Sequence, residues 1–165
     1  MRVGILVGLV VMSSALVACS SDTGETAGGL PDDATVTYAF HDSSVPPEYH
    51  RSETLTVTKG QAHLVIDSYG DVLADETVAT PAAVWDELGR TLPEVSSLEA
   101  ETVELGCTGG TSADLTVESA SGIVVDLSPE FCGGTNPELE APMAGWIQPA
   151  RNLFPSTDVL APEGP

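Results

Sequence analysis

Between Thr35 and Val78 several short segments alternate in character residue by residue, and a segment that alternates with period two buries one side and wets the other. Thr35 to Phe40 places Val36, Tyr38 and Phe40 on one face and Thr35, Thr37 and Ala39 on the opposite one. Glu53 to Thr58 sets Leu55 and Val57 against Thr54, Thr56 and Thr58. Lys59-Gly60 then turns the chain into Gln61 to Ser68, where Ala62, Leu64 and Ile66 share a side, which predicts a hairpin. Tyr69-Gly70-Asp71 makes another turn, so Asp71 to Val78 is read as a further antiparallel strand of weaker pattern. Ala113 to Glu118 and Gly122 to Leu127 alternate again across the turn Ser119-Ala120-Ser121.

Two segments change period. Thr80 suits a side-chain N-cap and Pro81 the first helical position, and Val84, Trp85, Leu88 and Leu92 recur at helical spacing up to Pro93, where the helix is expected to stop. Met143, Trp146, Ile147, Ala150, Leu153 and Phe154 form a second apolar stripe. Pro149 lies inside it and implies a kink, or two short helices with Pro149 opening the second. The fold expected is a single α+β domain over residues 34–154. It has an antiparallel sheet of about five to six strands packed by one or two helices and braced by one disulfide. Residues 155–165 hold Pro155, Pro162 and Pro165 and are expected to be an extended or frayed tail.

The beginning of the chain has a different logic. Arg2 precedes an apolar run from Val3 to Leu16, and Leu16-Val17-Ala18-Cys19 closes it. Val3 to Ala18 is shorter than the roughly 20 residues a membrane-spanning helix needs, so the order of charge, apolar segment and small residues reads as a secretion signal. The stretch resembles the lipobox of bacterial lipoproteins. That resemblance covers residues 1–19 and implies that 1–18 is removed and that the Cys19 thiol receives a diacylglyceryl group. The bilayer is then the first partner, and the location is the extracytoplasmic side of the cell membrane. Ser20 to Asp33 has Leu30 as its one large apolar side chain, so residues 19–33 are read as the lipidated Cys and a flexible tether. A single Lys in a chain rich in Ala, Val, Thr and Gly also resembles the composition of exported actinobacterial lipoproteins.

Charge narrows the partners. The formal net charge is −20 at pH 7, and beyond Arg2 the only Lys and Arg residues are Arg51, Lys59, Arg90 and Arg151. Nucleic acid is excluded, because its binding rests on basic side chains that neutralise phosphates. The acidity serves solubility, with divalent cations or a basic partner as specific uses. Cys107 and Cys132 remain once Cys19 is lipidated, and an even pair in an oxidising compartment is expected to bridge, stabilising by about 3.5 kcal/mol on the chain-entropy model. Gly109-Gly110 and Gly133-Gly134 beside them suit the left-handed backbone of tight corners.

Candidate chemistry is sparse. His41, Asp42, His50, His63 and Asp67 are the residue types of zinc sites and acid–base catalysis, and the first strands offer a way to bring them together. His41 and His63 fall opposite the apolar faces and are expected at the surface. Neither a zinc-protease motif nor a nucleophile elbow nor a phosphate loop occurs, and Asp67 to Asp71 lacks the ligand alternation of a calcium loop. No catalytic residue, metal or cofactor is therefore assigned. The expected function is a binding or protein-interaction module for an envelope protein, a peptide or a basic ligand. Its expected contact is the loop from Asp42 to His50, through Val45, Pro46, Pro47 and Tyr49, with Pro46-Pro47 holding it extended. A protease-inhibitor-like module is one version of this reading, and a metal-dependent or serine hydrolase is the alternative.

Overall fold

In the computed structural model, which describes residues 29–101, 108–132 and 134–164, the alternation is answered by one antiparallel sheet. Its strands are β1 (Thr35–His41), β2 (Ser52–Val57), β3 (Gln61–Ser68), β4 (Asp71–Ala79), β5 (Thr111–Ser119), β6 (Gly122–Leu127) and β7 (Glu130–Phe131). The spatial order is β4-β3-β2-β1-β5-β6, and β7 pairs with β5 where β6 has ended. β1 to β4 form a meander. The helix α1 (Ala82–Ser96) carries the chain back so that β5 lies on the free side of β1, which puts the first strand in the middle.

Period two decides which side is core. Val36, Leu55, Val57, Leu64, Ile66, Leu115 and Val117 are wholly buried on one face, under Trp85 and Leu88 of α1 and Met143, Trp146 and Ile147 of α2 (Glu140–Arg151). Each such side chain contributes about 1.5–3 kcal/mol on burial. On the other face, Thr77, His63, Thr56, Thr37, Thr116 and Asp126 stand in one row across six strands. Branched polar side chains fit such a half-buried pleated surface. His41 and His63 lie on this face, as expected.

Several expectations need correction. α1 does not stop before Pro93 but runs through it to Ser96, because Val95 continues the stripe of Trp85 and Leu88 into the core while Pro93 faces solvent. Thr80 caps nothing: its hydroxyl is buried without a partner and Pro81 occupies the cap position. α2 passes Pro149 as one helix, and the short α3 (Thr157–Leu160) follows. The end of the chain is docked rather than frayed, with Ala161 buried and Gly164 donating to the Glu48 carbonyl at 3.0 Å.

The last residues of the expected tether, from Leu30 to Asp33, belong to the folded domain. Leu30 and Ala34 are buried, Asp33 Oδ2 accepts the Ala120 N–H at 2.9 Å, and Lys59 pairs with Asp32. Gly89 makes this possible, because a Cβ there would lie 2.6 Å from the Leu30 nitrogen. The leader, Cys19 and residues 20–28 lie outside the described residues, as does Cys107. Gly109 and Gly134 adopt φ of +78° and +87°, the left-handed backbone their sequence context called for. Buried Asn136 accepts the Glu101 N–H at 2.8 Å and donates to the Glu101 and Glu130 carbonyls, tying β7 to the chain that leaves α1.

Candidate functional site: a pinned proline loop

Asp42 builds the loop between β1 and β2. Its carboxylate accepts the Ser43 N–H at 2.7 Å and the Arg51 N–H at 2.9 Å, closing the base of residues 43–50. Ser52 Oγ accepts the Asp42 N–H at 3.0 Å. Pro46-Pro47 does not hold the loop extended: the Tyr49 and His50 N–H groups both fold back onto the Pro46 carbonyl, at 2.9 and 3.2 Å, so residues 46–50 form a tight turn. Proline supplies the first φ of such a turn as readily as that of an extended segment, which is why composition alone misread it.

Four further carbonyls of the loop, those of Val45, Pro47, Glu48 and His50, are taken by flanking residues. Tyr69 Oη donates to Val45 at 2.6 Å and Ser68 Oγ to Pro47 at 2.8 Å. Arg51 spans the base, donating to the carbonyls of His50, Glu48, Ala161 and Pro162. The loop thus has the carbonyls of Val45, Pro46, Pro47, Glu48 and His50 occupied, and its exposed side chains are the larger part of what it offers a partner. An inhibitor loop that presents a free extended main chain has a different geometry.

Tyr69 is the residue the sequence did not single out. It sits at φ +51° in the β3–β4 turn, with Gly70 at +90°, and a bulky side chain in that region carries strain of about 1 kcal/mol or more. Two contacts offset it: the hydroxyl bond to Val45 and a stack on His50, with ring centroids 3.9 Å apart at 25°. Asp67 Oδ1 accepts the Gly70 N–H at 2.8 Å, so the Asp67 to Asp71 segment is turn chemistry. Tyr49, Tyr69, Val72 and Leu73 are the exposed large apolar residues at this end of the sheet, with exposed Pro46 and Pro47 beside them. The signal that could have marked Tyr69 was the two-residue spacing, Tyr69-Gly70, between two strand segments, because a two-residue hairpin turn of type I′ needs positive φ at both centres.

The structure does not gather the polar candidates. His41 Nε2 lies 2.9 Å from Asp114 and His63 Nε2 lies 2.8 Å from Asp75, both on the open face. His50 is only 5% exposed, with Nε2 at 3.5 Å from Ser52 Oγ and Nδ1 without a partner. Asp42 is committed to backbone donors, so Ser52, His50 and Asp42 do not form a relay. Among the described residues no group of three or more His, Cys, Asp or Glu is placed to hold a metal.

Beneath the sheet a second polar arrangement is structural. Arg151 Nε lies 3.1 Å from Glu53 Oε2, and its other nitrogens donate to the Pro155 carbonyl and to Thr157 Oγ1 at 2.9 Å each. Glu53, Arg151 and Thr157 line a cleft of about 320 Å³ with Gln148 and Phe154. Nearby Tyr38 is pushed up to about 12 from 10, first by burial and then by the charges of Glu53 and Glu140. A second cleft of about 280 Å³, between α1 and α2, is lined by Glu87, Glu94, Trp146 and Pro149. No known protein family matches the chain, and no curated protein matches it.

Proposed function

We propose that this chain is a lipid-anchored, extracytoplasmic binding module that holds a protein or peptide through side chains of the 43–50 loop and of Tyr69. The observation that carries the reading is the pinning of that loop: the carbonyls of Val45, Pro46, Pro47, Glu48 and His50 are all occupied, while Tyr49 and Tyr69 stay exposed. A preorganised aromatic surface loses little freedom on binding, and tyrosine adds an apolar ring with a polar tip. The anchor is proposed from Leu16-Val17-Ala18-Cys19. The Cys107–Cys132 bridge is proposed with it, supported by the pairing of Thr111 with Phe131, which sets Cys132 beside the start of β5.

The test is photocrosslinking in intact envelopes, with a photoreactive phenylalanine at Tyr49 and the same group at exposed Val159 as control. A discrete adduct at Tyr49, absent at Val159 and lost in Tyr69→Ala, is expected. Equal labelling at both positions would refute the loop as the contact. Cys19→Ser is expected to release the protein from the membrane fraction, and unchanged retention would remove the anchor.

A further inference from the structure

We propose that β4 is a docking edge for an extended, basic segment of another protein, which adds to the sheet as an eighth strand beside the pinned loop. This rests on the binding-module reading and names the partner's chemistry. β4 is the outermost strand on its side, nine residues long, and no described strand pairs with its outer edge. An outer strand presents unpaired N–H and C=O groups, the main-chain half of recognition by strand addition. The side-chain half is set by register: Ala74, Glu76 and Val78 follow the inner face and Asp75 and Thr77 the outer one. An incoming strand with Lys or Arg along the inner face, beside Glu76 and Asp71, and β-branched apolar residues along the outer face, beside Thr77 and Val72, matches that pattern.

Charge selects among occupants. Asp71 and Glu76 pair with no cation among the described residues, and Asp75 pairs with His63. A second copy of this chain is a poor occupant. It would set one acidic β4 against another, and every Lys and Arg among the described residues is already engaged: Arg51 with carbonyls, Lys59 with Asp32, Arg90 with Glu87 and Arg151 with Glu53. The apolar anchor is contiguous. The pairing slips between Ile66 and Asp67, leaving Leu73 as an extra residue in a β-bulge, and Val72 and Leu73 stand exposed just past the Tyr69 turn.

The experiment titrates the isotope-labelled protein with an acetylated peptide of four Lys-Val repeats, read by amide NMR. Saturable shifts in residues 69–79, with slowed amide exchange along β4, are expected below about 1 mM. Methylating alternate peptide nitrogens removes the main-chain bonds and keeps the charge, and should weaken binding by at least about tenfold. Asp71→Asn with Glu76→Gln should weaken it similarly without unfolding the protein. No shift in β4 at that concentration, equal binding of the methylated peptide, or equal binding of a Glu-Val peptide would each overturn strand addition. A Tyr49 adduct without β4 shifts sinks this proposal and keeps the loop reading; β4 shifts without the adduct do the reverse.

Discussion

β4 and β6 close the same sheet on opposite sides, and in both the pairing slips by one residue next to the turn. The exposed neighbours of the slip match closely: Val72 is 60% exposed beside Leu73, and Ile123 is 63% exposed beside Val124. Their other side chains differ. β4 bears Asp71, Asp75 and Glu76, whereas β6 bears Asp126 alone and is six residues long, so its bulge consumes much of it. A bulge bends an edge away from indiscriminate pairing, and charge decides which strands are still accepted. The contrast teaches that β6 is guarded by shortness and curvature, whereas β4 is guarded by sign, which rejects its own kind and admits a basic strand.

The largest effect that would test this difference comes from below the sheet. β2 is fastened to α2 and to the end of the chain through Glu53 and Arg151, and β3 and β4 hang from β2; β6 has no such clasp among the described residues. Arg151→Met leaves the Glu53 carboxylate partly buried without its cation. A loss of about 2–3 kcal/mol in urea unfolding is expected, below the full cost of a wholly buried pair because some solvent reaches it. Hydrogen exchange should rise first in β2 to β4. Earlier exchange in β6 would invert the comparison.

Tyr38 lies on β1, the strand both halves share, and so tests them together. Its phenol titrates near 12 in the fold and near 10 when unfolded, because burial, then Glu53 and Glu140, disfavour the anion. Between those pH values the unfolded chain releases a proton that the folded chain keeps, so stability falls as pH rises through the window and is unaffected well below it. The expected contribution is about 2–3 kcal/mol by pH 12, at about 1.4 kcal/mol per unit. Tyr38→Phe should remove that slope; an identical alkaline profile would show that Tyr38 is not its source.

A smaller effect concerns the loop that buttresses the β4 turn. Tyr69→Phe keeps the stack on His50 and removes the 2.6 Å bond to Val45. The expected cost is about 0.5–1 kcal/mol, with broadened amide signals in residues 43–50 and unchanged ones in β6. Unchanged loop signals would mean that Asp42 and Arg51 alone set its shape.

The parts of this molecule that were legible in its sequence are those where burial alternates. β1, β2, β3, β5 and β6 sit between wet and buried faces, so Val36, Leu55, Leu64 and Leu115 announce themselves by position. β4 was faint because an edge strand buries little, and Glu76 occupies an inward register position. β7 is two residues long and has no period to read. Pro93 is a local break signal, but the burial of Val95 beyond it outweighs that signal, and burial is a property of the whole fold. The docking of residues 155–164 was invisible because main-chain carbonyls hold it to Arg51 and Arg151, and carbonyls leave no trace in composition. Pro46-Pro47 marks the loop, but proline suits a turn and an extended segment alike, so the local bonds of Tyr49 and His50 to Pro46 leave no separate trace, and the packing of Tyr69 on Val45 and His50 joins segments far apart in sequence.

The smallest change in stability carries the sharpest test of the two edges. Asp71→Asn, Asp75→Asn and Glu76→Gln together replace exposed carboxylates by amides of the same shape, and folding stability should stay within about 0.5 kcal/mol. Association should not stay the same. With its sign removed, β4 keeps nine residues of unpaired main chain and the apolar pair Val72 and Leu73, so sedimentation at about 100 μM should show dimers that the parent protein does not form. Ile123→Lys, which adds charge to β6, should leave the parent monomeric. Dimers in that variant that β6 pairing explains, or a triple variant that stays monomeric, would show that curvature guards both edges and that the carboxylates of β4 select nothing.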